Sequence, residues 1–170
     1  MGVDVGLLIL RASIGLIFAA HGAQKAFGWW GGPGLSGWTA ATARMGWHPA
    51  RPWALLGIVS ELGGGLLLVA GLLVPFAAVV LLAQTLVIIV RVHLQNGFWN
   101  GKGGIEFPLM LGLGTAALFV AGAGALSLDL TLGLSFGPPV RVAALALALA
   151  GACVAVWWPA PSTANEPIHT

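Results

Sequence analysis

The 170-residue chain is 58% hydrophobic and only 7% charged, with a formal net charge of +2. A soluble domain is about a quarter charged, so this chain has too few charged groups to cover a water-facing surface, and lipid must cover it. No run of Lys or Arg exists, which excludes nucleic acid as a partner. Its single cysteine, Cys153, excludes an intrachain disulfide and a dithiol centre. The composition therefore indicates an integral membrane protein in a lipid bilayer.

Apolar segments of about 20 residues, enough to cross a bilayer, predict five helices at residues 5–27, 52–74, 76–92, 105–126 and 140–158. Because Asp4 stands where a signal peptide carries positive charge, we expect the first segment to be retained. The first connection is rich in Gly, Trp and Pro and predicts an interfacial segment with a short amphipathic helix near 38–45. The predicted fold is all-α, a polytopic membrane helix bundle with a four-helix core and a fifth C-terminal transmembrane helix.

The second and third predicted helices meet at LLVPF, which leaves almost no linker. We expect a tight hairpin here, with Pro75 in the first turn of the third helix, where its missing N–H does no harm. Five spans place the first and third connections and the C-terminal tail on one side of the membrane, called side B. The amino terminus then lies on side A. Because side B carries more Lys and Arg, the positive-inside rule predicts that it is cytoplasmic.

Ionisable side chains in the first predicted helix fall on one side of it. At about 100° per residue, Lys25 lies about 40° from Arg11 around the helix axis, and His21 about 80°. Ionisable groups at membrane depth face protein or a water-filled cavity. We therefore expect an inward-facing stripe. The alternative is that Arg11 and Lys25 extend to opposite interfaces.

Glu61 is the acidic counterpart in the second predicted helix. Gly57 precedes it by one turn, and Gly64 and Gly65 follow it by one turn. Small residues at this spacing let a neighbouring helix approach closely. We therefore expect Glu61 to lie at a helix–helix contact.

The depth of each residue in the membrane indicates which one can pair with the Glu61 carboxylate. Measured from side B at the helical rise, Glu61 lies roughly 12 Å deep, His21 roughly 9 Å and Arg11 roughly 24 Å. His21 is the expected partner of Glu61, with Lys25 reaching in from side B. Arg11 is too far away for direct contact, and its partner is left open.

The third and fourth predicted helices add three more candidates. Arg91 shares a helix face with Gln84, whereas His93 points about 160° away from Arg91 in a regular helix. We expect Arg91 to face inward and His93 to join only if the helix end unwinds. Glu106, at the start of the fourth helix, joins the cluster or simply complements the helix dipole.

These residues predict a polar half-membrane pocket that opens toward side B. A carboxylate beside imidazole and cations can exchange protons or hydrogen-bond the carbonyls of a quinone headgroup. The Trp and Phe residues nearby line its rim or form an ordinary aromatic belt. No H-x-x-x-H or E-x-x-H pairing occurs within one helix, so no metal or haem site is predicted. The candidates are Arg11, His21, Lys25, Glu61, Arg91, His93 and Glu106.

A weak internal repeat connects two of these regions. HGAQKAFGWWGGPG after the first helix is similar to HLQNGFWNGKGG after the third, and the next helix in each case carries a Glu. The two halves are either related helical hairpins or two loops with the Gly and Trp bias of membrane boundaries.

Together these features resemble the DoxX family of small bacterial and archaeal membrane proteins over about residues 7–130. The resemblance implies a four-helix core at 1–130, and residues 131–158 then form an additional transmembrane helix before a polar, flexible tail at 159–170. The matching features, in chain order, are an Arg early in the first helix, H-G-x-x-K at its end, Glu61 followed by GGGLLLVAGLLVP, a His closing the third helix, a Gly-rich loop leading to Glu106, and GAGALSLD.

Some members of that family are subunits of a quinol oxidase or a thiosulfate:quinone oxidoreductase, and others are linked to redox-stress complexes. The resemblance implies a quinone-linked membrane subunit of the cell membrane, with quinone as cofactor and other redox subunits as partners. A homo-oligomer stays open. The catalytic subunits are separate chains, so the implied role is accessory at most. A small proton-coupled transporter and a non-catalytic scaffold are the alternatives.

Overall fold

The computed structural model describes residues 1–158, and the tail predicted to be flexible at 159–170 lies outside them. Every regular element in that range is helical. Short 3-10 turns at Trp29–Gly31, Leu94–Asn96 and Asn100–Lys102 and a π-turn at Ile89–His93 join or extend the helices. The α-helices are α1 Gly2–Phe27, α2 Gly34–Arg44, α3 Ala50–Ala70, α4 Val74–Ile88, α5 Glu106–Ala121, α6 Leu128–Thr131 and α7 Pro138–Val156.

The predicted all-α membrane bundle is confirmed. Four helical segments are long and apolar enough to cross a membrane: α1, α3, the continuous run Val74–Asn96 that includes α4, and α7. Helix α5 is apolar but shorter. The short helix predicted in the first connection is present as α2, and the tight hairpin between α3 and α4 has Pro75 in the first turn of α4. The chain is therefore a multi-pass membrane protein.

Two helices end earlier than hydropathy predicted. Helix α3 stops at Ala70 and α5 at Ala121 because Gly71 and Gly122 take positive φ angles of 67° and 86°. Glycine alone adopts this left-handed backbone at little cost. Apolar residues continue beyond both glycines, so hydropathy could not locate either end.

Glycines hold α1 and α3 close together. A Cβ added to Gly65 would lie 2.6 Å from the backbone N of Ala19 and 2.6 Å from the carbonyl O of Gly15. Gly22 lies equally close to the backbone of Leu62. Gly65 therefore provides the predicted small-residue contact with α1, whereas Gly64 and Gly57 face Leu81 and Gln84 of α4. Helix α5 packs on α4, and α7 packs on the other side of α4.

Arg11 fastens the side A end of the bundle. It is only 2% exposed, and its guanidinium donates to the carbonyls of Leu68 (3.2 Å), Val69 (2.9 Å) and Leu126. The first two belong to the last turn of α3, whose carbonyls lack the usual donors of the helix interior, although Leu68 O also accepts from the N–H of Gly71 at 3.0 Å. Arg11 is therefore a cap for another helix, which answers the question of its partner.

The chain around the start of α6 completes this end. The carboxylate of Asp129 accepts from the backbone N–H groups of Leu73 (2.7 Å) and Val74 (3.0 Å), at the start of α4. The N–H of Asp129 donates to the carbonyl of Gly71 at 2.9 Å. The GAGALSLD segment thus covers the α3–α4 turn and satisfies its backbone.

Arg91 plays the corresponding role at side B, which corrects the prediction that it faces the polar pocket. Its guanidinium donates to the carbonyls of Val156 (2.9 Å) and Met45 (2.7 Å) and lies over the ring of Trp47. The indole N–H of Trp47 donates to the carbonyl of Ala155 at 2.9 Å. The C-terminal carbonyls of α7 are thus capped from the α2–α3 loop and from the end of α4.

Replacing Gly65 with Ala should destabilise the protein, because the new methyl group meets the backbone of α1. The control is Gly63→Ala on the same helix, where the methyl group has no atom within 4 Å. That change should stabilise the protein by about 0.5–1 kcal/mol through helix propensity alone. Thermal unfolding in detergent tests both. Equal shifts for the two variants would contradict the close contact.

Arg11→Met should lower the free energy of unfolding by about 3 kcal/mol, because it removes three hydrogen bonds that a buried charged group donates to backbone carbonyls. The matched control is Arg44→Met, since Arg44 is exposed at the end of α2. Unfolding in mixed micelles measures both variants. A loss at Arg11 no larger than that at Arg44 would show that the three carbonyl contacts do not hold side A together.

Candidate functional site

A cavity of about 200 Å³ lies among α1, α3, α4 and α5 near side B. We call it the polar cavity, because it collects most of the ionisable side chains of the bundle that lie away from the caps. Its walls also include an apolar floor from α4 and α5. The lining residues are Phe18, His21, Lys25, Glu61, Gln84, Thr85, Ile88, His93, Phe107, Pro108 and Leu111.

Glu61 forms the inner end of this cavity. It is 5% exposed, and its carboxylate oxygens lie 2.5 and 2.6 Å from Lys25 Nζ. Gln84 Nε2 approaches the same carboxylate at 3.4 Å. The expected pairing of Glu61 with His21 is therefore wrong. Lys25 is the partner because its long side chain reaches back from the last turn of α1. Depth along the helix axis describes Cα positions and does not include the length of the side chain.

The ion pair is shielded from the surface. Lys25 and Glu61 keep only 15% and 7% of their side-chain surface exposed. Lys25 Nζ also lies 4.2 Å from the centre of the Trp38 ring. An ammonium over an indole face is attracted to it, so Trp38 helps to hold the Lys25 side chain in place beside the carboxylate. Helices α1, α2 and α3 are all joined at this one point.

His21 lines the cavity without binding Glu61. Its imidazole is exposed and packs edge-on against Phe107, with 6.1 Å between the ring centres. Its ring makes no hydrogen bond to any residue in the range 1–158, so it is free to bind a ligand from α1.

His93 joins the cavity because the end of α4 unwinds. The helix widens into a π-turn at Ile89–His93, and this extra residue turns His93 toward the cavity and Arg91 away from it. Such π-turns are frequent at functional sites. His93 Nδ1 lies 2.6 Å from the carbonyl O of Gly103. A carbonyl only accepts, so Nδ1 carries the proton and Nε2 remains available as an acceptor in the neutral ring.

Three of the seven candidates lie elsewhere. Arg11 and Arg91 are the helix caps at opposite ends of the bundle. Glu106 is exposed in the first turn of α5, where an acidic residue complements the helix dipole. Its carboxylate accepts from the backbone N–H of Asn100 at 2.9 Å. Glu106 therefore complements the helix dipole, which was the simpler of its two interpretations, and does not line the polar cavity.

The surface aromatic residues do not line the polar cavity. Trp29, Trp30, Phe98 and Trp99 are all about half exposed or more, and they pack on one another in pairs. This arrangement agrees with an aromatic belt at the side B interface. The histidines of the repeated motif do meet in one cavity, but the glutamates that follow them do not occupy equivalent positions.

Gln84 and Trp38 were not among the candidate residues. Gln84 stands next to Thr85 in the middle of the otherwise apolar α4, and this polar pair is a signal in the sequence for a site at that depth. Trp38 gave no such signal, because a tryptophan in an interfacial helix is ordinary. Only the docking of α2 against α1 and α3 brings it to Lys25.

Within residues 1–158, no three His, Cys, Asp or Glu side chains lie close enough together to hold a metal ion. The polar cavity instead offers two imidazoles, one ion pair and one amide. These groups can hydrogen-bond the oxygens of a small ring compound and exchange protons with it.

Comparison with known proteins gives one match. The model of the DoxX family matches residues 6–94, from α1 to the end of the third membrane-crossing segment. No curated protein and no solved structure matches the chain. The matched range contains Arg11, His21, Lys25, Glu61 and His93, whereas Glu106 lies outside it.

Lys25→Met should lower the free energy of unfolding by about 3 kcal/mol, because it leaves a buried carboxylate without a cation. The double variant Lys25→Met with Glu61→Leu should recover most of that loss. Lys102→Met is the control, since Lys102 is exposed in a loop. Unfolding of all variants in mixed micelles gives the coupling energy. Additive effects of the two single changes would contradict a buried ion pair.

Proposed function

This chain belongs to the DoxX family, and we propose that it is a membrane subunit of a quinone-linked oxidoreductase system in a bacterial or archaeal cell membrane. The observation that carries the proposal is the polar cavity, in which two imidazoles from different helices stand beside a buried ion pair. The electron-transferring partner is expected to be a separate protein chain, so this subunit is an accessory one.

The size and shape of the polar cavity suit a quinone headgroup. Its volume is about 200 Å³, and a cavity of about 150 Å³ is large enough for benzene. A single substituted ring therefore fits. Phe18, Phe107 and Ile88 supply apolar wall for the ring, and His21, His93 and Gln84 supply polar groups in the same lining.

The two histidines are the groups that would hold the ring. Each imidazole can donate a hydrogen bond to a carbonyl oxygen when protonated, and each can take a proton back from a hydroxyl when neutral. Hydrogen-bonding of His93 Nδ1 to Gly103 fixes the orientation of that ring and leaves Nε2 for the ligand. A bound quinone would supply reversible two-electron, two-proton chemistry.

The Lys25–Glu61 pair has a different part in this proposal. Its two charges cancel, so the inner end of the cavity stays neutral and tolerates an uncharged ring. Both oxygens of Glu61 are already engaged by Lys25. The pair therefore positions α1 against α3, and proton exchange falls to the imidazoles.

A scaffold function is the second candidate, and the same ion pair favours it. A carboxylate with both oxygens bound locks two helices together without any ligand. A proton-coupled transporter would in contrast require Glu61 to leave Lys25 before it could take up a proton. In that case Glu61→Gln would abolish proton-coupled flux in liposomes.

The direct test is to purify the full chain from its native membrane in mild detergent and extract it for quinone. We expect quinone at a constant ratio to protein, and we expect a short-chain quinone analogue to raise the unfolding temperature. His21→Ala should remove both effects because it deletes one hydrogen-bonding group. His48→Ala, an exposed histidine outside the cavity, should retain both. Protein without quinone and without a shift from the analogue would exclude the proposal and leave the scaffold function.

A further inference from the structure

The connection between α4 and α5 contacts one imidazole of the polar cavity and fixes which of its nitrogens carries the proton. His93 Nδ1 lies 2.6 Å from the carbonyl O of Gly103. A carbonyl oxygen only accepts, so Nδ1 donates in this contact. Nε2 of the neutral ring then has a lone pair and no proton. His93 therefore meets a ligand in the polar cavity as an acceptor and not as a donor.

The folding of this connection holds the Gly103 carbonyl in place. Gly103 has a positive φ of 76° and donates its N–H to the carbonyl of Asn100 at 2.8 Å. The side-chain amide of Asn96 donates to the Gly103 carbonyl at 3.1 Å. Gly104 packs against the start of the connection so closely that a Cβ there would lie 2.5 Å from the carbonyl O of Gly97. The carbonyl that orients the imidazole therefore belongs to a closely packed loop.

Glu106 braces the same loop from the first turn of α5. Its carboxylate accepts from the backbone N–H of Asn100 at 2.9 Å, and its own N–H donates to the carbonyl of Phe98 at 2.9 Å. The carbonyl of Asn100 in turn accepts from the N–H of Gly103. Glu106 is thus connected to His93 through Asn100 and Gly103, although it does not line the cavity.

The acceptor character of His93 Nε2 distinguishes two forms of a ring ligand. A ring hydroxyl can donate to it, whereas a ring carbonyl cannot, because a carbonyl only accepts. The imidazole of His21 and the amide of Gln84 also line the cavity, and each can serve either form of the ring. A site built to accept from a hydroxyl binds an analogue without that hydroxyl more weakly. The discrimination therefore falls to His93.

We propose that the polar cavity selects the hydroxylated, reduced form of its ring ligand over the carbonyl form. His93 Nε2 is the acceptor for the hydroxyl, and Glu106 is a positioning residue that acts on His93 through the loop between α4 and α5. The inference rests on the function proposed for the polar cavity, in that it takes a substituted ring as the ligand.

The first test compares two stable probes, 4-propylphenol with a hydroxyl and 4-propylanisole with a methoxy group that only accepts. The full chain is placed in nanodiscs at about pH 8, where an ordinary imidazole is neutral. After correction for partitioning into lipid, the phenol should bind about fivefold more tightly. His93→Phe should remove this preference, whereas His48→Phe, at an exposed histidine outside the cavity, should keep it.

Three results of this comparison would overturn the proposal. They are equal affinity for the two probes, no binding of either probe, and a preference that persists in His93→Phe. The last result would attribute the preference to the size of the methoxy group.

The second test needs no ligand. Nitrogen NMR of protein labelled in its histidines distinguishes a protonated ring nitrogen from an unprotonated one, and His93 should show the proton on Nδ1. Glu106→Ala should populate the other tautomer as well and weaken the preference for the phenol. Glu106→Gln should retain both properties, because its amide oxygen can still accept from Asn100. An unchanged tautomer in Glu106→Ala, or equal changes in both variants, would contradict the positioning role.

The inference and the proposed function fail separately. Purified protein without quinone would count against the function, whereas the tautomer of His93 and the probe preference are measured without quinone. Protein that contains quinone but carries the His93 proton on Nε2 would overturn only the inference.

Discussion

The fold depends on how this chain satisfies the carbonyls at its helix ends. In a bilayer, a helix end that lacks a donor has no water to replace it. Arg11 supplies donors to the last turn of α3, and Arg91 and Trp47 supply them to the last turn of α7. Each donor comes from a different helix or loop. The caps therefore also determine which helix ends meet on each side of the bundle.

The polar cavity is a consequence of this assembly. Glycines at the α1–α3 contact bring the two backbones close enough for Lys25 to reach Glu61. In this pair the two opposite charges offset each other. The cavity therefore presents no unpaired charge there to disfavour a neutral ring. The π-turn at the end of α4 then adds His93, so that one imidazole from each half of the bundle faces the same space. Gln84 and Ile88 separate this space from a second cavity, one wall of which is formed by α7.

Much of the fold could be predicted from residue chemistry. Hydropathy located the four segments that are long and apolar enough to cross a membrane, and the short helix expected in the Gly- and Trp-rich connection is present as α2. The ends of α3 and α5 were placed too late because apolar residues continue through Gly71 and Gly122. Hydropathy measures preference for lipid, and it does not detect the left-handed glycine that ends a helix.

For the candidate site, the sequence decided less and the tertiary structure decided more. The sequence alone indicated that Arg11, Lys25 and Glu61 lie away from lipid, because ionisable groups at membrane depth are costly, and these three are largely buried in the structure. It did not determine which of the ionisable side chains pair with each other. A regular helix would direct His93 away from the cavity and Arg91 into it. The π-turn reverses the directions of both side chains. Lys25 rather than His21 contacts Glu61 because its side chain is long enough to reach it. The docking of α2 places Trp38 against Lys25. Only the tertiary structure decided these points, because they depend on distances between separate helices, and periodicity within one helix contains no such distance.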